Sequence, residues 1–126
     1  MKKIFPYMAL ASLLFLLTAP LAEAAESNIG VMAGIVMHLN HYPSSDEQTQ
    51  LAAIAGNKKS TAGEKVLANA LMHMRHQVNA ADAALLHQLQ NAAAASSQEK
   101  ELAGILLGIM HHPSSADKQR LKSLLD

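Results

Sequence analysis

The decisive stretch reads MHLNHYPSSDEQTQL over residues 37–51, and it returns as MHMRHQVNAADAALL over 72–86 and as LGIMHHPSSADKQRL over 107–121. Laid over one another at an offset of 35 residues, Met37, Met72 and Leu107 coincide, as do His41, His76 and His111. The register continues through Ser44, Asn79 and Ser114, then Glu47, Asp82 and Asp117, then Leu51, Leu86 and Leu121, then Ile54, Leu89 and Leu124. The second and third copies also share Glu-Lys-x-Leu-Ala at Glu64 and at Glu99. A register held through so many positions, with the residue class kept at each, marks an internal repeat.

The recurring positions are those that punctuate helices. Ser44, Asn79 and Ser114 each stand three residues before an acid, so the first side chain can accept from the backbone N–H of the third helical residue while the acid sits at the positive helix end. Thr61 with Glu64, and Ser96 with Glu99, form a second set of the same kind. Between these caps the apolar residues keep helical spacing, as in Leu67, Leu71, Met74 and Val78, or Leu102, Ile105, Leu106 and Ile109. Pro43 and Pro113 fall just past helix ends.

This pattern predicts helices over 27–40, 45–55, 62–77, 80–93, 97–111 and 115–125, with residues 56–60 and 95–97 joining the copies. β-Branched residues are few and never alternate, so no strand is expected. The fold class is all-α: three tandem helical hairpins of about 35 residues, six helices in total, forming a short α-solenoid or a compact helical bundle.

Upstream of the repeats, Lys2 and Lys3 precede an apolar run from Met8 to Thr18, and Ala22 and Ala24 are spaced as A-x-A. This is the form of a secretory signal peptide, with cleavage expected after Ala24. Residues 1–24 are then the signal, and residues 25–126 a single all-α helical-repeat domain. The apolar run is well short of the roughly 20 residues that a spanning helix needs, and the chain has no cysteine to carry a lipid. A periplasmic or secreted product is expected, not an integral membrane protein once the signal is gone.

Beyond residue 24, Tyr42 is the single aromatic, so the core must be built from Ala, Leu, Ile, Val and Met, without disulfides. Eight Lys and Arg face nine Asp and Glu there. A near-neutral chain with no basic stripe and no aromatic platform is unsuited to nucleic acid.

All seven histidines lie in the same region. His38 and His41, like His73 and His76, are three apart and so share a helix face, while His111 and His112 are adjacent; Met37, Met72, Met74 and Met110 stand beside them. The candidate metal ligands are therefore His38, His41, His73, His76, His111 and His112. Imidazole with thioether suits copper, and imidazole alone suits zinc or nickel. Packed helix axes lie about 8–10 Å apart, so a single site gathering His41, His76 and His111 would require the repeats to pinch together at their turns. Separate sites, one per HxxH pair and incomplete without a partner or a dimer, are the expected arrangement. The alternative for the trio is a place at helix C-termini, where an imidazole can donate to unpaired carbonyls. Met37 and Met72 fall on the apolar stripe, as core residues. Gly30 with Gly34, and Gly104 with Gly108, have the spacing of close helix crossings.

There is no cysteine nucleophile, G-x-S-x-G, glycine-rich phosphate loop or H-E-x-x-H. A triad of Ser44 or Ser45 with His41 and Glu47 is not expected, because the helix cap accounts for these residues. No catalytic or cofactor-binding residue is expected. The functional expectation is an exported helical-repeat module that presents an interaction or scaffold surface to an envelope protein, with no resident cofactor. The alternative is a periplasmic binder of Cu, Zn or Ni, or a pH-responsive protein, using paired histidines and neighbouring methionines; a homodimer would suit its incomplete sites.

Overall fold

A computed structural model describes residues 27–125, and the expected signal segment lies outside the described residues. Six helices follow in order: α1 (Asn28–Met37), α2 (Ser45–Gly56), α3 (Ala62–His73), α4 (Ala80–Asn91), α5 (Ser97–Gly108) and α6 (Ser115–Leu125). The fold is all-α, with one pair of helices from each copy of the repeat: α1 and α2, α3 and α4, α5 and α6.

The caps read from the repeat are the caps observed. Ser44 Oγ accepts from the Glu47 N–H at 3.2 Å while Glu47 Oε1 accepts from the Ser44 N–H at 2.8 Å. Ser114 and Asp117 exchange the same pair of bonds at 3.2 and 3.1 Å. Asn79 Oδ1 accepts from the Asp82 N–H at 2.8 Å. Thr61 and Ser96 close reciprocal boxes with Glu64 and Glu99. Each box satisfies donors that a helix start leaves unpaired.

The helices α1, α3 and α5 stop earlier than the apolar spacing predicts. They end at Met37, His73 and Gly108 instead of near 40, 77 and 111. Leu39, Met74 and Ile109, which extend the apolar pattern, are still buried at 4%, 0% and 2% exposure. Met74 and Ile109 are buried from extended backbone, with ψ of 133° and 132°. Burial periodicity alone does not distinguish one more helical turn from a strand-like residue that leans into the same core. In the first and third copies the proline also disfavours helical backbone at the residue before it, Tyr42 or His112.

The core is built in layers of three. Met32, Leu67 and Leu102 are equivalents, as are Ala33, Ala68 and Ala103; Ile35, Ala70 and Ile105; and Val36, Leu71 and Leu106. Leu39, Met74 and Ile109 follow, and the outer helices add Leu51, Leu86 and Leu121, then Ile54, Leu89 and Leu124. Among the described residues, every buried hydrophobic residue except Ile29 belongs to such a triplet. Met37 and Met72 pack against this core from partly buried positions.

Helix packing shows why one register serves three copies. α2 packs on α3 and α4 on α5, each outer helix against the first helix of the next copy; α6 packs in the same way on α1. The last copy therefore meets the first, while α1, α3 and α5 touch one another inside. The result is a closed three-part bundle.

Gly30 and Gly34 line a groove of about 500 Å³ beside α2, with Val31, Ile35, Gln50 and Ile54, and a Cβ placed on Gly34 would lie 3.8 Å from Leu125 of α6. A Cβ placed on Gly108 would meet nothing within 4 Å. Among the described residues, every buried side-chain nitrogen or oxygen has a hydrogen-bond partner, and no helix is long and apolar enough to cross a membrane.

Candidate metal centre

Closure of the bundle brings the turns after α1, α3 and α5 to one end, with His41, His76 and His111 at their tips. Each has a positive φ, at 71°, 66° and 70°. In each turn the residue after the histidine donates to the residue before it: Tyr42 N–H to Asn40 O at 2.9 Å, Gln77 N–H to Arg75 O at 2.7 Å, and His112 N–H to Met110 O at 2.9 Å. A hydrogen bond across one residue of positive φ defines the rarer, strained form of γ-turn. Histidine tolerates this region better than most side chains, yet such conformations cost roughly 1–3 kcal/mol each and persist only where the surroundings impose them.

The surroundings here are the other two turns. The His41 N–H donates to His111 O at 2.6 Å, the His76 N–H to His41 O at 2.7 Å, and the His111 N–H to His76 O at 2.6 Å. Each histidine backbone thus donates to one neighbour and accepts from the other, in a closed three-membered ring. This is the pinch that one shared site requires, and it replaces separate sites per HxxH pair as the arrangement of these residues.

The side chains repeat the symmetry of the backbone. Nδ1 of His41 lies 2.9 Å from Nδ1 of His76 and 3.1 Å from that of His111, and the third pair is separated by 3.0 Å. The ring centroids are 4.8–5.0 Å apart at interplanar angles of 74–77°, so the imidazoles stand like propeller blades with Nδ1 turned inward. A neutral imidazole has one N–H and one lone pair. Two hydrogens directed at the common point would collide, so at least two lone pairs face it. The complement of such a point is a cation. The His41 pKa is held below its ordinary value, first by loss of solvation and then by the charges of His76, His111 and His112, which favours the neutral, metal-ligating form.

The other candidate histidines are engaged elsewhere. His38 Nδ1 lies 3.1 Å from Gly34 O within its own helix. His73 Nδ1 is 2.9 Å from Asp82 Oδ2, an acid that also accepts from Asn79. His112 Nδ1 is 3.2 Å from Pro113 O. The trio's nitrogens face one another, not helix-end carbonyls. Of the methionines, Met74 is fully buried and Met110 is 67% exposed. Ser44 and Glu47 are bonded to each other in the α2 cap.

The rim consists of the residues on either side of each histidine: Asn40 and Tyr42, Arg75 and Gln77, Met110 and His112, all exposed. The Arg75 guanidinium lies 5.6 Å from the centre of the Tyr42 ring, a cation–π contact between the first two turns. The γ-turns carry none of the usual glycine or asparagine signals of positive φ, which is why sequence reasoning extends the helices through them. A different signal was present. Over residues 28–125, only three aligned positions are identical in all three copies: Ala33/Ala68/Ala103, Leu51/Leu86/Leu121 and His41/His76/His111. The first two are core. The histidine is the one polar residue kept, while both of its neighbours change from copy to copy.

Searches against protein-family models, curated proteins and solved structures find no match to this chain, so its own geometry must carry the functional reading.

Proposed function

We propose that this chain is an exported metal-binding protein that holds a divalent transition-metal ion between Nδ1 of His41, His76 and His111. One observation carries the proposal: three strained turns, one per repeat, bring identical side chains to a common point with their nitrogens within 3.1 Å of one another. Nothing in backbone packing asks for histidine at these tips, because glycine adopts positive φ without steric cost.

The donor set is imidazole alone, which suits nickel, zinc or cobalt better than a thioether-loving cuprous ion. The exposed position of the trio leaves further coordination positions open, unlike a closed structural site. Export is supported by Lys2, Lys3, the apolar run and the A-x-A spacing before residue 25. Among the described residues the convergent ligand group is three imidazoles, joined by no carboxylate. The interaction-module reading has less support, since a closed bundle lacks the concave face that an open helical stack offers a partner.

Calorimetric titration of the chain with Ni(II), Zn(II), Co(II) and Cu(II) tests the reading. Tight uptake of at least one of these ions is expected, with affinity falling at least about 100-fold in His76→Ala; uptake that is equal in the variant overturns it.

A further inference from the structure

The three nitrogens have the dimensions of an octahedral face. An ion about 2.1 Å from each would stand a little over 1 Å out of their plane and see them at mutual angles of about 90°, given separations of 2.9–3.1 Å. A tetrahedral site with the same bond length spaces its nitrogens by about 3.4 Å. The remaining half of an octahedral shell is three more donors with the same threefold arrangement and spacing, on the solvent side of the ion.

We infer that a second copy of this chain supplies them, two trios closing on one ion to form a six-imidazole centre. This rests on the metal-binding reading above. The donor set that matches the open face in number, spacing and symmetry is the trio itself. The trio stands at the surface, with His76 and His111 exposed and His41 half-buried. Of the four exposed large hydrophobic residues among the described residues, Tyr42 and Met110 both flank it, and a face-to-face pair would cover them. Arg75 is the rim's one permanently charged residue, and it is already held over the Tyr42 ring, so two copies meet with little repulsion. Such a contact is isologous, each copy offering the same patch to the other.

Sedimentation velocity during Ni(II) titration tests the inference. Monomer without metal, a twofold rise in mass complete at half an equivalent of Ni(II) per chain, and return towards monomer when excess ion loads each trio separately are the expected results. Tyr42→Glu and Met110→Glu leave the ligands in place and are expected to keep Ni(II) uptake, at one ion per chain and without the rise in mass. A wild-type chain that binds one Ni(II) per monomer with no change in mass overturns the second copy while leaving the metal site intact. No uptake at all overturns both.

Discussion

A histidine at φ near +70° is a costly way to make a turn, and this chain does it at all three tips. Backbone and side chain can be tested separately there. In His76→Gly the ring of backbone hydrogen bonds remains possible and the steric strain is relieved, so urea unfolding of the metal-free protein is expected to show unchanged or raised stability, by up to about 1 kcal/mol. His76→Ala keeps the strain and is expected to be less stable than His76→Gly. Both lose the ion. A His76→Gly variant that is clearly destabilised would mean that the imidazole serves the fold. Acid acts on His41. The folded-state pKa of His41 is lowered, so as pH falls through the unfolded value of about 6.5 the unfolded chain takes up its proton first. Stability of the metal-free protein is therefore expected to fall as pH drops through that value, and to level off once the folded His41 also titrates. Thermal midpoints measured between pH 8 and 5, with His41→Gln as the comparison that lacks this contribution, check the sign. The equivalence of His41, His76 and His111 is legible in the sequence; their meeting is not, because the same offset also describes an open stack in which equivalent side chains stay a helix diameter apart.

Helix starts were far more legible than helix ends. Ser44, Asn79 and Ser114 all open helices, because an N-cap writes its hydrogen bonds into two side chains at fixed spacing. The ends of α1, α3 and α5 are written in backbone shape and in contacts to other copies, which leave no local residue signature. Ser44→Ala is expected to cost about 1 kcal/mol by denaturant unfolding, the usual worth of such a cap. The layered core allows a sharper comparison. Leu51, Leu86 and Leu121 are equivalent and fully buried. Each leucine-to-alanine change is expected to cost about 2–5 kcal/mol, with the three values close to one another. A wide spread among them would show that the copies pack differently despite their common register.

At the scale of the whole molecule, one ion would tie together three residues that are 35 and 70 positions apart in the chain. A ligand that binds only the folded state stabilises it by mass action, by about 2.7 kcal/mol at a hundredfold excess over Kd. The melting temperature is accordingly expected to rise with added ion, and the rise to vanish equally in His41→Ala, His76→Ala and His111→Ala, since each copy gives one donor. Composition and repeat length together bounded the architecture to a stack or a bundle. The contact of α6 with α1 decides between them, and it depends on accumulated small rotations that no single residue reports. That contact also makes the order of the hairpins arbitrary. α6 ends and α1 begins at the pole away from the histidines, in the relation that α2 bears to α3, where Asn57–Thr61 bridges the gap. A rearranged gene that starts at Thr61, runs to Leu125 and re-enters at Ser27 through a link of similar length would encode the same wheel with its rim cut elsewhere.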